Sequence, residues 1–141
     1  MIDKPTRGER NNNPGNLRHG EPWHGLAPDQ PDADFCTFSE PEDGIRALAK
    51  NLLNYQLRHG LNTVTQIVER WAPPNENDTN AYVNSVASKM GVGPDAPLDL
   101  KDPVVLEDLT AAIIKHENGR IAYPWPTIVA AVDDALGVDR G

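Results

Sequence analysis

The sequence predicts a mostly α-helical protein, and three observations support this fold class. From Ser39 onward, apolar residues recur at the three- and four-residue spacing of amphipathic helices. Prolines and N-capping residues precede these segments, and glycines follow them. The alternation typical of strands is confined to the short stretch "DADFCTFSE", so we expect at most a short β-hairpin. We interpret residues 1–141 as a single domain with a loop-rich part, 1–40, and a helical part, 41–137.

The first two predicted helices have clear boundary signals. Ser39 and Glu42 form a capping-box pattern before an apolar stripe, and Gly60 ends this helix. Thr63 is the expected N-cap of the second helix. The dipeptide Pro73–Pro74 stops that helix, because proline cannot continue the backbone hydrogen-bond ladder.

Three further helices are predicted in the second half of the chain. The third lies in "ENDTNAYVNSVASKMG" and ends at Gly91. The fourth begins with an N-cap and a proline, Asp102–Pro103, and continues to the glycine of "AAIIKHENG". The last runs from Ile128 to Leu136 and is ended by Gly137.

Composition and charge exclude several classes of function. The chain has 13 Lys and Arg against 21 Asp and Glu, which gives a net charge of -8 and a pI near 4.8. Nucleic-acid binding needs a basic face, so we expect no nucleic-acid partner. No apolar run is long enough to span a bilayer, so we expect no membrane insertion.

The cysteine and histidines show no metal-binding pattern, and we expect neither a metal nor a cofactor. A single cysteine, Cys36, excludes an internal disulfide. Its neighbours Phe35 and Phe38 favour a core position for it. The alternative is thiol catalysis by Cys36 paired with His19 or His24.

The end of the fourth helix, "AAIIKHENG", contains the strongest candidate for an acid/base residue. Glu117 follows Ile113 and Ile114 at four- and three-residue spacing, so it lies on the buried stripe. It is also close to the negative end of the helix dipole. Burial and the dipole both favour the proton-bearing carboxyl group, which suits a general acid. The alternative is a solvated glutamate whose stem covers the helix end.

Two amide-rich stretches could bind a saccharide. One is "RGERNNNPGNLR", and the other is "ERWAPPNENDTNAYV". Amides pair with hydroxyl and N-acetyl groups, and aromatic rings cover sugar faces. The candidate substrate-binding residues in these stretches are Asn12, Asn13, Asn16, Trp71, Asn75, Glu76, Asn77 and Tyr82, and Asn118 at the end of the fourth helix is a further candidate. The alternatives are a flexible N-terminal tail and an ordinary loop with a cap at Asp78.

These motifs resemble those of a known protein family. The segment "RGERNNNPGNLR…FCTFSEPEDGIRALAKNLLNYQLRHGLNTVTQIVERWAPPNENDTNAYV" closely resembles a family of phage and prophage virion proteins, often called only structural proteins. The resemblance covers roughly residues 7 to 119, and RNNNPGN, GIRAL and RWAPPNEN are its most specific parts. It implies other virion proteins as partners.

A more distant resemblance connects the chain with lytic transglycosylases of the goose-lysozyme-like fold. "AAIIKHENG" is similar to the end of their catalytic helix, with Asn118 in place of serine, and "NPGNLR" is similar to a following loop. "EPEDGIRALAKNLL", "QIVERWAPP" and "ENDTNAYVNSV" are similar to later helices, in the order of a circular permutation. The resemblance implies a lysozyme-like fold, Glu117 as acid/base, and substrate contacts from Tyr82, Asn13 and Asn16. Asn75 or Asn77 would replace the substrate asparagine of that family.

The resemblance leaves two catalytic schemes open. Lytic transglycosylases need one carboxylate, because the N-acetyl oxygen and the muramic 6-hydroxyl of the substrate supply the nucleophiles. A hydrolytic, lysozyme-like enzyme needs a second carboxylate at a fixed separation. Glu9, Asp34 and Glu76 are the candidates, and Glu9 is preferred because it lies next to the asparagine run. Either Glu9 or Glu117 could be the acid.

We therefore expect an enzyme that cleaves the glycan strand of bacterial peptidoglycan. A non-catalytic virion protein with a structural or glycan-binding role is the main alternative. The N-terminus lacks the apolar core of a secretory signal. We expect synthesis in the bacterial cytoplasm and action in the periplasm or on the cell wall, after delivery by a virion, a holin or a secretion device.

Overall fold

The computed structural model describes residues 4–75 and 77–137, and these form six α-helices. The helices are α1 (Arg7–Arg10), α2 (Pro41–His59), α3 (Val64–Trp71), α4 (Thr79–Met90), α5 (Pro103–Asn118) and α6 (Trp125–Leu136). The described residues contain no strand, only two isolated antiparallel bridges, Arg18 with Phe35 and Leu26 with Phe38. The mostly α-helical fold class is confirmed.

Most predicted helix ends are confirmed by hydrogen bonds and backbone angles. Thr63 accepts a hydrogen bond from the backbone N–H of Gln66 at the start of α3. Aspartates cap α4 and α5 in the same way. Left-handed glycines end four helices: Gly60, Gly91, Gly119 and Gly137.

Two predicted boundaries are wrong. The N-cap of α2 is Glu40 rather than Ser39, and its side chain makes no capping hydrogen bond. Proline at the next position instead supplies a preformed helical φ angle. The last helix begins at Trp125 instead of Ile128, because Pro126 fits within the first helical turn, where no backbone N–H is needed.

The short helix α1 is absent from the sequence prediction, which assigned residues 1–40 mainly to loop. The Thr6 side chain accepts from the backbone N–H of Glu9 at 3.1 Å, and Glu9 accepts from the backbone N–H of Thr6 at 2.9 Å. These reciprocal bonds form a capping box. The Thr-x-x-Glu spacing is the sequence signal that could have identified this helix.

The main hydrophobic core lies between α2, α5 and α6, and α3 and α4 complete it from one side. Ile45, Leu48 and Leu52 of α2 are fully buried there, as is Ile113 of α5. A smaller cluster joins the N-terminal loops to α2 and consists of Leu17, Cys36, Phe38 and Ala47. The expected core position of Cys36 is therefore confirmed.

The asparagine-rich loop lies directly on α2. At Gly44, a Cβ atom would overlap the backbone carbonyl oxygen of Asn12, so only glycine permits this approach. A Cβ atom at Gly15 would also lie close to the Leu48 side chain, although less close than at Gly44. The loop is thus seated on the first long helix. Within the described residues, no helix combines the length and apolar character that crossing a membrane requires.

We predict that Gly44→Ala destabilises the protein by at least about 2 kcal/mol, because the added methyl group pushes the loop away from α2. Urea denaturation monitored by circular dichroism measures this change. Gly93→Ala is the matched control, since its Cβ would meet only the Ala96 methyl at an ordinary 3.9 Å. Equal stability of the two variants would contradict the seating of the loop on α2.

Candidate functional site

A cleft of about 730 Å³ lies between the N-terminal loops, α2, and the C-terminal ends of α3 and α5. Its walls carry three kinds of side chain suited to a polar, ring-shaped ligand. These are the aromatic residues Trp23, Phe35, Tyr55 and Trp71, the amides Asn16, Asn51 and Asn77, and the carboxylates Glu21 and Glu117. The cleft is large enough for a few sugar rings.

Glu117 lies at the wall of this cleft, half-buried in the last turn of α5. Its Oε1 accepts a hydrogen bond from Nδ2 of Asn16 at 3.2 Å. Its Oε2 accepts from the Tyr82 hydroxyl at 2.8 Å. These two hydrogen bonds fix the position of the carboxyl group at the cleft wall.

Tyr82 supports the Glu117 carboxylate from behind. Only 2% of Tyr82 is exposed, and its hydroxyl oxygen accepts from Nε1 of Trp71 at 3.0 Å. Burial and the negative charge of Glu117 raise the pKa of Tyr82, so the hydroxyl stays a neutral donor. His116 stacks on the tyrosine ring, with centroids 3.8 Å apart. The resemblance implied a substrate contact for Tyr82, whereas the structure makes it a support for the carboxylate.

The backbone places Asn16 where its amide can reach Glu117. Asn16 has a φ of 52°, a left-handed conformation that asparagine tolerates better than most residues. The turn before Asn16 is stabilised by a hydrogen bond of 2.8 Å, which the Asn118 amide donates to the carbonyl oxygen of Pro14. Of the residues predicted to contact substrate in the first stretch, Asn16 alone is at the cleft.

The predicted substrate contacts of Asn12 and Asn13 are corrected by the structure. Asn13 is completely buried, donates to the carbonyls of Leu17 and Cys36, and accepts from the Leu17 N–H. Asn12 donates to the carbonyl of Phe38. Both side chains therefore satisfy backbone groups of the loop, and neither of them lines the cleft. The asparagine run is mainly a buried scaffold.

Asn118 also has a structural role instead of the predicted substrate contact. It is 9% exposed, and its amide donates to the carbonyls of Pro14 and Ile114. Its Oδ1 accepts from the Thr6 hydroxyl at 2.6 Å. Asn118 thus connects the end of α5 to the start of the chain.

The structure does not bring Glu9 to the cleft. Arg120 donates to both carboxylate oxygens of Glu9, at 3.0 and 2.7 Å. This bidentate contact is the main cause that holds the pKa of Glu9 below its ordinary value. The Glu9 side chain is only 8% exposed. Glu9 therefore forms a structural ion pair with Arg120. The expectation that it supplies a second catalytic carboxylate is wrong.

The second amide-rich stretch contributes only some of its predicted residues. Trp71 and Asn77 line the cleft, whereas the exposed Asn75 does not. Glu76 lies outside the described residues. Asp34, another candidate for the second carboxylate, is paired with Arg7 at 3.2 Å.

The thiol-based alternative loses its nucleophile in the structure. Cys36 is 1% exposed, and burial raises the pKa of its thiol, which disfavours the reactive thiolate. Nε2 of His19 is hydrogen-bonded to the carbonyl of Asp32. In residues 4–75 and 77–137, no group of three His, Cys, Asp or Glu side chains is placed to hold a metal ion.

Several cleft residues were not selected from the sequence as site residues, including Arg18, Glu21 and Asn51. Asn51 and Tyr55 are four residues apart on the polar side of α2, so they lie on the same face of the helix. This spacing is the sequence signal that could have identified them as neighbours. Glu21 lies in an irregular loop, where sequence spacing carries no positional information.

The fold and the site define a mostly helical protein with one partly buried carboxylate in an aromatic and amide-lined cleft. The chain matches no protein-family model. It is 39% identical over 133 residues to Protein P5 of Pseudoalteromonas phage PM2, an alignment that covers 91% of this chain and 81% of that protein. The chain therefore belongs to the family of this phage protein.

We predict that Glu9→Gln lowers the free energy of unfolding by about 1–2 kcal/mol at neutral pH, because Arg120 loses its charged partner. The folded-state pKa of Glu9 is below its ordinary value of 4.5. Its contribution is therefore complete above that pH and declines as the pH falls through the lower folded value.

Urea titrations of wild type and Glu9→Gln between pH 2 and pH 7 measure this stability difference. The exposed Glu69→Gln is the matched control. A difference that grows on acidification would contradict the ion-pair role.

Proposed function

We propose that the protein, as a single lysozyme-like domain, cleaves the glycan strand of bacterial peptidoglycan with Glu117 as the acid/base. The observation that carries this proposal is the position of Glu117. Its carboxylate faces the cleft while Asn16 and Tyr82 fix its two oxygens. Groups held in this way keep the geometry that general acid catalysis requires.

In the proposed reaction, protonated Glu117 gives its proton to the glycosidic oxygen as the bond from that oxygen to C1 breaks. The N-acetyl oxygen of the muramic residue bonds to C1 as the leaving group departs. The Glu117 carboxylate then takes the proton of the muramic 6-hydroxyl, whose oxygen bonds to C1 and closes a 1,6-anhydro ring as the bond from the N-acetyl oxygen to C1 breaks. The hydroxyl of Tyr82 and the amide of Asn16 keep the carboxyl group in place through both steps.

The carboxylates around the cleft favour this one-carboxylate scheme. Glu9 is held by Arg120, and Asp34 is held by Arg7. Among the described residues that line the cleft, Glu21 is the other carboxylate. Among the described residues, Glu21 would be the second carboxylate of a two-carboxylate hydrolase, and it is exposed and lies in a loop.

The walls of the cleft also suit peptidoglycan. Trp23, Tyr55 and Trp71 offer aromatic surfaces for sugar rings. Asn51 on the α2 wall offers an amide to hydroxyl and N-acetyl groups, and Nδ2 of Asn16 keeps a second N–H beside its bond to Glu117. We further propose that the phage virion carries the protein to the cell wall, with other virion proteins as its assembly partners.

A non-catalytic virion protein is the second candidate function. Its support is the relationship to a phage protein whose name states no activity. The bonds from Asn16, Tyr82 and Trp71 also connect the N-terminal loop, α4, α3 and α5, which is a structural role in itself. In this case the half-buried Glu117 would only connect these elements.

We predict that Glu117→Gln lowers the rate of sacculus cleavage by roughly 10²–10⁴-fold, because an amide cannot transfer the required proton. Purified peptidoglycan sacculi are digested with each variant, and the soluble products are identified by mass spectrometry. Glu69→Gln, an exposed glutamate on α3, is the matched control and should retain full activity.

Each outcome assigns one function. Anhydro-muropeptides from wild type but not from Glu117→Gln support the transglycosylase. Reducing-end products that are lost in both Glu117→Gln and Glu21→Gln indicate a two-carboxylate hydrolase. Sacculi that stay intact with wild type indicate the non-catalytic virion protein.

We predict that Tyr82→Phe lowers kcat by roughly 10- to 100-fold, because the Glu117 carboxylate loses the donor that positions it. KM should change little, since Tyr82 is buried behind the cleft wall. Steady-state turnover of soluble glycan strands separates the two constants. A rise in KM with unchanged kcat would mean that Tyr82 contacts the substrate instead.

A further inference from the structure

We propose that a second, basic cleft binds the carboxylate groups of the peptide branches on the glycan strand, an inference that rests on the proposed function. This cleft has a volume of about 530 Å³. Four cations line it, namely Arg46, Lys50, Arg58 and Arg70, together with the single carboxylate of Glu21. A protein with a net charge of -8 thus places four of its 13 Lys and Arg in one depression.

The helix α2 supplies most of this basic surface through a regular spacing. Arg46, Lys50, Asn54 and Arg58 follow one another at intervals of four residues, so they form one row along the helix. Arg70 of α3 faces this row and lies over the ring of Tyr55, with its guanidinium carbon 5.4 Å from the ring centroid. Two helices therefore contribute cations to the same cleft.

Helix stability alone does not explain this row. Lysine and arginine near a helix C-terminus interact favourably with the dipole, which accounts for Arg58. Arg46 and Lys50 lie beyond the first turn of α2, and the helix dipole acts only within the first and last turns, so it does not account for them. They are also like charges at a four-residue spacing, which destabilises a helix. The arrangement concentrates positive charge at an electrostatic cost.

Much of this charge is available to a ligand. Arg46 pairs with Asp134 at 3.2 Å, and Lys50 donates to the carbonyl of Ala135. Arg58 and Arg70 make no ion pair with a residue of the described ranges, and both are exposed. An anionic group bound in the cleft would give both guanidinium groups an oppositely charged partner.

The two clefts are adjacent and share part of their walls. Glu21, Trp23, Asn51 and Tyr55 line both of them. A glycan strand that passes Glu117 can therefore extend along Trp23 and Tyr55 while a branch from it enters the basic cleft. The peptide branches of peptidoglycan carry free carboxylates, which arginine recognises well. The basic cleft would thus select glycan strands that still carry acidic peptides.

The shape and charge of the molecule favour this ligand over other polyanions. The cations line a depression, which accepts a branch better than a flat membrane surface. A nucleic acid would meet the overall negative charge of the molecule beyond the cleft. A short carboxylate-bearing branch touches only the basic region.

The experiment measures binding of the full chain carrying Glu117→Gln, so that strands are not consumed. Three probes are titrated by calorimetry: glycan strands with their peptides, strands whose peptide carboxyls have been amidated, and strands stripped of peptide by an amidase. Arg58→Gln/Arg70→Gln is the test variant. Lys89→Gln/Lys101→Gln removes the same charge from exposed positions outside both clefts and is the matched control.

The expected result is a preference of roughly fivefold to tenfold for carboxylate-bearing over amidated strands, since each surface ion pair contributes modestly. This preference falls close to one in Arg58→Gln/Arg70→Gln and persists in the control. Circular dichroism confirms that both variants are folded. A preference that survives in the test variant overturns the proposal, as does the absence of binding to all three strands.

Two further results separate this inference from its alternatives. Wild-type binding to anionic phospholipid vesicles that is lost in the test variant, with strand binding unchanged, assigns the cleft to a membrane and overturns the proposal. Carboxylate-dependent binding without cleavage of sacculi by wild type supports the basic cleft while the catalytic proposal fails. Cleavage of sacculi by wild type without the carboxylate preference supports the catalytic proposal, while the proposal for the basic cleft fails.

Discussion

The docking of the N-terminal loops onto the end of α5 is the interaction on which the functional site depends. Asn118 donates to Pro14 and accepts from Thr6, and Arg120 binds both oxygens of Glu9. These contacts fix the turn that aims Asn16 at Glu117. Without them the cleft would lose one wall and the carboxylate would lose one of its donors. The close approach at Gly44 secures the same loop from the side of α2.

The sequence predicts the five longer helices well because their signals are local. Caps, prolines and terminal glycines lie within a few residues of each boundary, and they identify α3, α4 and α5 at their N-caps. The position of Glu117 at the end of α5 follows from the same periodicity. The roles of Asn12, Asn13 and Glu9 could not be predicted, since their partners are distant in sequence. An asparagine that binds a ligand and one that binds backbone have the same local pattern.

The two clefts resolve an apparent conflict between the charge of the chain and its proposed substrate. An acidic protein should repel an anionic polymer at long range. The structure gathers four of its 13 Lys and Arg in the basic cleft, next to the aromatic walls of the Glu117 cleft. This local positive charge favours anionic ligands that enter the basic cleft. The overall charge would discourage non-specific adhesion to the wall and favour release after each encounter.

The hydrogen bond between Asn16 and Glu117 joins residues 101 positions apart, and that between Pro14 and Asn118 joins residues 104 apart. Such non-local contacts form late in folding, because a long loop must close before they can contribute stability. A ribosome-bound chain therefore lacks the assembled carboxylate environment until most of the polypeptide has emerged. Products that end before Glu117 would lack this environment.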